Sequence, residues 1–169
     1  MDLPAFKTLS ANFPDYWRYP TPDAARKYIG GETLDKDITN TCTIRMSHAM
    51  NASGAPVPKV WQTITNREGR NKQYYIIRVV NFRAWMEHMF GPPDLTFTKK
   101  AGDKFQRHRL EGNEGVIAFD IGFTDATGHF DLWYRDKFSH EDNGGQEYLM
   151  RAKQISLWTG GTVWSSPEV

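Results

Sequence analysis

Disulfides are excluded from this sequence at the outset, because Cys42 is the one cysteine among its 169 residues. A secreted scaffold stapled by cysteine pairs is ruled out with them, and Cys42 has to be explained alone. An excess of charge is missing as well. Twenty-one Lys and Arg against 20 Asp and Glu leave a formal net charge of +1, which provides no electrostatic footprint for nucleic acid or an acidic membrane surface. Long apolar runs are absent too. The best stretches, Tyr74 to Val80 and Val116 to Phe123, have the length of a strand and not of a membrane-spanning helix, so no membrane partner is expected. Met1 to Asn12 mixes Asp2 and Lys7 into a short apolar segment and lacks the basic and continuous apolar regions of a secretory signal, so synthesis in the cytoplasm is expected. His48, His88, His108, His129 and His140 form no paired short-spacing ligand motif. Neither a metal nor another cofactor is expected.

What is present is enough apolar material for one core. With 39% hydrophobic and 14% aromatic residues, residues 1–169 read as a single domain without repeats or linkers. Thr21-Pro22-Asp23 is an N-cap, a first-turn proline and an acidic first turn, opening a short helix that ends at Gly30-Gly31. Cys42, Met46, Ala49 and Met50 share one helical face until Gly54, Pro56 and Pro58 stop the helix. Cys42 therefore falls in a helix's first turn. Tyr74 to Val80 reads as a buried strand. A helix capped by Asn81 follows, its core stripe running from Phe82 to Phe90 and its stop at Gly91-Pro92-Pro93. Lys99 to Asn113 reads as a solvated loop, with a lid or substrate-binding role as the alternative. Gly115 to Gly122 and Gly128 to Tyr134 read as strands joined by a turn at Thr124 to Thr127. A polar stretch, His140 to Gln146, precedes a last strand from Ala152 to Trp158.

A cysteine becomes a strong nucleophile only as thiolate, and a helix N-terminus favours that anion through its exposed amides and its dipole. The backbone N–H of Cys42 is also placed to face the oxyanion formed when a thiolate attacks an amide carbonyl. A lone free cysteine is ordinarily a small buried hydrophobe, so the partner decides. His129, after Gly128 and before the alternating Phe130, Leu132 and Tyr134, sits at a strand's start, where an imidazole can be held as a base. Helix-borne cysteine followed by strand-borne histidine is the papain-like order. The third group, which orients the imidazole, is expected at His140, with Asp136 and Asp142 as alternatives. Asp131 shares a strand face with His129 but is set aside as too near in sequence to meet the ring edge-on.

Asn40 to Ser47 (NTCTIRMS) together with Asp125 to Trp133 (DATGHFDLW) resembles the type VI secretion amidase effectors, specifically their fourth family. The likeness extends to Tyr28-Ile29-Gly30-Gly31, Tyr75 to Val79, Phe90-Gly91 and Ile155 to Trp158, and so covers most of the chain. The resemblance implies an α+β, papain-like fold of the NlpC type, its nucleophile at a helix N-terminus packed on an antiparallel β-sheet. It implies hydrolysis of the bond between D-glutamate and meso-diaminopimelate in the peptidoglycan stem of a rival bacterium. It places the nucleophile on Cys42 and the histidine on His129. The family has an aspartate near the position of His140, where broader NlpC-type enzymes use a histidine, and this chain has Thr41 where the general NlpC motif has an aspartate. The implied partners are the stem peptide, the type VI secretion machinery that delivers such effectors into a target-cell periplasm, and a periplasmic immunity protein. Arg45 and the cations of Lys99 to Arg109 are candidates for recognising stem carboxylates. The reading from a different class is a non-catalytic wall-binding or carbohydrate-binding module that stacks sugars on the many aromatics. An RNA-stacking surface of Phe105, Arg107 and Arg109 is disfavoured by the balanced charge.

Overall fold

The computed structural model describes residues 1–34, 36–121, 128–139 and 145–164. Its centre is an antiparallel sheet whose longest strands are apolar without alternation, because both faces are covered. Along β6 (Asn113–Asp120), Val116 and Ala118 join one core cluster while Ile117 and Phe119 join another. β7 (Gly128–Arg135) behaves likewise, with Phe130 and Leu132 in the first cluster and Trp133 in the second. β5 (Leu95–Thr98), β8 (Lys137–Phe138) and β9 (Gln154–Trp158) complete the order β5-β9-β6-β7-β8. In the β6–β7 pair Phe119 lies opposite His129, and Asp120 opposite Gly128.

Three helices contribute to the cluster on the first face. They are α1 (Phe6–Asn12), α3 (Cys42–Ala52) and α4 (Val79–Phe90), through residues such as Leu9, Met46, Phe82 and Trp85. α2 (Pro22–Gly30) closes the outer side of α3, where Ala25 and Ile29 share a cluster with Ile44 and Tyr75. The second face is covered by α5 (Gly145–Arg151) through Leu149 and, contrary to the expectation of a solvated loop, by Phe105 and Leu110 from the segment between residues 99 and 113. Arg109 lies over Phe97 at 4.3 Å and Arg107 over Trp133 at 5.4 Å, so the residues weighed for RNA stacking are committed within the fold.

The strand expected over Tyr74 to Val80 forms only in part. Two short hairpin pairs, β1 (Val60–Trp61) with β2 (Ile64–Thr65) and β3 (Arg67–Glu68) with β4 (Tyr74–Tyr75), lie outside the main sheet. Past β4 the chain is extended and enters α4 at Val79, with Arg78 and not Asn81 at the N-cap. The physical reason is on α3. Thr43, Ser47 and Asn51 recur every four residues, so they line one helical face. Thr43 Oγ1 donates to Ile77 O (2.8 Å), Ile76 N donates to Ser47 Oγ (3.1 Å), and Asn51 Nδ2 donates to Tyr74 O (2.9 Å). The polar side of a helix thus satisfies backbone that otherwise needs a neighbouring strand. Asn51, the first residue of a glycosylation-like triplet, is thereby used structurally. The turn expected at Thr124 to Thr127 lies outside the described residues. Among the described residues no helix is long and apolar enough to cross a membrane.

Candidate active site

The helix that carries Cys42 is buried on nearly every side, and Cys42 is its first residue, 1% exposed. The preceding Thr41 does not cap the helix with its side chain; its Oγ1 accepts from Arg45 Nε at 2.9 Å. Asn40 Oδ1 takes the cap instead, accepting the backbone N–H of Cys42 at 3.2 Å. The N–H expected to face an oxyanion is therefore held by a neighbouring amide oxygen.

Arg45 lines the base of the cleft but is engaged within the fold. It is 1% exposed; besides Thr41 it donates to the carbonyls of Pro14 (2.6 Å), Asp15 (3.1 Å) and Tyr19 (2.7 Å), and it lies 4.0 Å over the Tyr16 ring. Four of its five N–H donors are taken by Thr41 and by the carbonyls that latch residues 14–19 onto the start of α3, which leaves little of the guanidinium for the stem carboxylates considered from the sequence. Burial lowers the affinity of its guanidinium for the proton, and the charges of Tyr16, Asp131, Asp15 and Cys42 work against that loss.

Gly128 lets β7 bring His129 to this point. A Cβ at Gly128 would lie 2.2 Å from Phe119 O across the strand pair and 3.1 Å from Val79 Cγ1, so the residue before the histidine has room for no side chain. β8 pairs only with Trp133 and Tyr134, leaving the half of β7 that carries His129 and Asp131 without an outer strand among those described. The His129 ring stacks on Tyr148 of α5 at 4.1 Å and 5°, with Phe119 and Tyr16 at 6.2 and 6.3 Å. Its Nε2 is 3.3 Å from Asp131 Oδ2, and Asp131 Oδ1 accepts the Leu132 N–H at 2.8 Å. Cys42 lies close enough to the ring to raise its affinity for the proton. With Nε2 turned to the carboxylate, Nδ1 is the nitrogen that remains for the sulfur.

These contacts set the charge. Burial by itself pushes His129 down, but the hydrogen bond to Asp131 and the nearby Cys42, reinforced by their charges, raise it to about 9. Burial and the charge of Cys42 hold the Tyr16 phenol well above its ordinary range and raise Tyr148 as well, so both hydroxyls stay protonated beside the sulfur. A cleft of about 390 Å³ opens over this centre, walled by Tyr16, Pro20, Thr39, Asn40, His129 and Tyr148 among others. Among the described residues no group of three or more His, Cys, Asp or Glu is arranged to hold a metal ion.

Cys42 and His129 are thus brought together, and Asp131, set aside in the sequence, is the carboxylate that meets the ring. The ring edge turns along the strand, so a separation of two residues suffices. The usable signal was the His-x-Asp alternation itself, which places a carboxylate on the same strand face as the imidazole. Asp136 is exposed in the turn at the other end of β7, seven residues and roughly 23 Å of strand from His129, and cannot orient it. His140 and Asp142 lie outside the described residues.

The family described as "Type VI secretion system (T6SS), amidase effector protein 4", Tae4, matches residues 38–158. The chain belongs to this family. No curated protein sequence matches it. The Tae4 effector of Enterobacter cloacae is similar to it at 25% identity over 93% of this chain and 96% of that one, with a TM-score of 0.75. A chain of the Tae4–Tai4 effector–immunity complex from Salmonella Typhimurium is 26% identical over 94% of this chain and 99% of its own, with a TM-score of 0.73. The fold is papain-like, of the NlpC type, as the resemblance implied. Membership in the Tae4 family makes the chain an amidase effector of type VI secretion, an antibacterial enzyme acting on peptidoglycan.

Proposed function

We propose that residues 1–169 act as one cysteine amidase domain that cuts the bond between D-glutamate and meso-diaminopimelate in the peptidoglycan stem. The observation that carries this reading is the His129 ring, hydrogen-bonded to Asp131 and close enough to Cys42 for the sulfur to raise its proton affinity, at the mouth of a cleft. The Cys42 thiolate attacks the carbonyl carbon of the D-glutamyl amide, and the oxyanion is met by the Cys42 N–H once Asn40 has moved. The His129 imidazolium gives its proton to the diaminopimelate nitrogen as the C–N bond breaks, leaving a thioester on the D-glutamyl carbonyl. Neutral His129 then takes a proton from water, the hydroxide displaces sulfur, and the free carboxyl product leaves.

Asp131 holds the imidazole and stabilises its charged form; His140 is the rival for that role. The effector acts in the periplasm of the target cell after type VI delivery, and a periplasmic immunity protein that plugs the cleft is its partner. The relatives from Salmonella Typhimurium and Enterobacter cloacae, whose structures hold a Tai4 immunity protein, support that pairing.

The test is digestion of sacculi containing meso-diaminopimelate by wild type, Cys42→Ala, Asp131→Asn and His140→Ala, with fragments identified by mass spectrometry after muramidase treatment. Cleavage between D-glutamate and diaminopimelate by wild type but not Cys42→Ala is the expected result. Cleavage by both rejects Cys42 as nucleophile, and binding without cleavage moves the reading to a wall-binding module. A loss in His140→Ala larger than in Asp131→Asn would transfer the orienting role.

A further inference from the structure

A second cleft lies directly beside the catalytic one. It measures about 590 Å³ and is lined by Asp37, Ile38, Arg67, Ile77, Arg78 and Asn81, among others. The catalytic cleft begins at Thr39, the residue after Ile38, so the two hollows meet across one peptide unit. That dividing strap is fixed in place, because Arg26 Nη1 donates to Ile38 O and the Ile38 side chain is buried in the same cluster as Ile44.

The two clefts are also joined through the helix that carries Cys42. Thr43 Oγ1 donates to Ile77 O at 2.8 Å, and Cys42 and Arg78 are each one residue away from that bond. An extended peptide advances roughly 3.3–3.6 Å per residue, so two or three residues lead from a carbonyl at Cys42 to the Arg78 side chain. Among the described residues the lining of the second cleft carries the guanidiniums of Arg67 and Arg78 and the carboxylate of Asp37. Arg78 is exposed, and among the described residues its side chain has no hydrogen-bond or ion-pair partner. Arg45, on the helix that opens with Cys42, has committed most of its donors to Thr41 and three carbonyls.

We propose that this second cleft is the carboxylate-binding half of the substrate groove, and that Arg78 holds a free carboxylate of the stem peptide. The inference rests on the stem-amidase reading above. A peptidoglycan stem keeps carboxylates that take no part in its backbone bonds, and a planar guanidinium with unused donors pairs with such a group bidentately.

The experiment is steady-state hydrolysis of a synthetic stem tetrapeptide by wild type, Arg78→Gln and Arg78→Lys, repeated with each free carboxylate of the peptide amidated in turn. Arg78→Gln is expected to raise KM about tenfold, the size of one charge-assisted hydrogen bond, with kcat within about twofold and the thermal midpoint unchanged; Arg78→Lys recovers part of the loss. Amidating the recognised carboxylate should raise KM for wild type by the same factor and erase the difference between wild type and Arg78→Gln. The peptide that does so tells which carboxylate is bound. An unchanged KM in Arg78→Gln, or an equal loss on every amidated peptide, overturns the assignment while the amidase reading stands. A wild-type protein that leaves all the peptides intact overturns the amidase reading, and this inference with it.

Discussion

His129 concentrates the chemistry of the site in one ring. Its Nε2 meets Asp131, Cys42 lies close enough to raise its proton affinity, and its plane lies against Tyr148. Replacing Asp131 with Asn keeps the shape of the side chain and removes its charge, so kcat should fall roughly 10³–10⁴-fold while the circular dichroism spectrum is retained. The His129 proton affinity, raised to about 9, should drop in the same variant, and imidazole chemical shifts followed against pH will read it. The alkaline limb of the kcat/KM profile should fall near about 9 in wild type and move to lower pH with Asp131→Asn, since the proton donated to the leaving amine is lost there. Cys42 and His129 were legible in the sequence because each occupies a position whose neighbours announce it: a helix start for the one, a glycine-led strand for the other. Asp131 was not, because the reach of an imidazole along its own strand depends on a ring rotation that residue spacing does not encode.

At the scale of elements, α3 is held as much by its polar residues as by its apolar ones. The face of Cys42, Met46, Ala49 and Met50 could be read from periodicity. The face of Thr43, Ser47 and Asn51 could not, since short polar residues on a helix read as solvent-facing until the backbone they satisfy is known. The same ignorance turned residues 76–80 into strand and left α5 unseen. Ser47→Ala deletes the acceptor for the Ile76 N–H and is expected to cost about 1–3 kcal/mol in urea denaturation, the range for a buried donor left unmet. Arg45→Met removes four hydrogen bonds, three of them buried; we expect a loss of about 2–4 kcal/mol and a fall in kcat larger than that of Ser47→Ala, because the segment 14–19 carries Tyr16, a wall of the cleft. Gly128→Ala pushes a methyl into Phe119 O and should cost about 1–3 kcal/mol as an overpacking change, with His129 displaced and activity lost beyond the drop in stability.

The whole molecule has a pH dependence that follows from the same histidine. Folding raises its proton affinity from an ordinary 6.5 to about 9, so the folded state binds the proton more tightly than the unfolded one. The stability this supplies is complete below about pH 6.5 and declines as pH climbs toward 9, because across that window the native state keeps a proton that the unfolded chain has released. Denaturation midpoints measured from pH 6 to 10 should fall accordingly, and the slope should flatten in His129→Gln. With one cysteine, none of this stability comes from disulfides, so reductant should leave the midpoint unchanged.

The latch made by Arg45 separates two boundaries that usually coincide. The family match starts at residue 38, yet Tyr16, Pro20 and Pro22 wall the cleft, and the arginine that anchors the segment lies on the helix that opens with Cys42. A protein trimmed to residues 38–158 would contain Cys42, His129 and Asp131 and still be an incomplete enzyme, with Arg45 left facing water where three carbonyls had been. The stretch matched by the family is smaller than the unit that works.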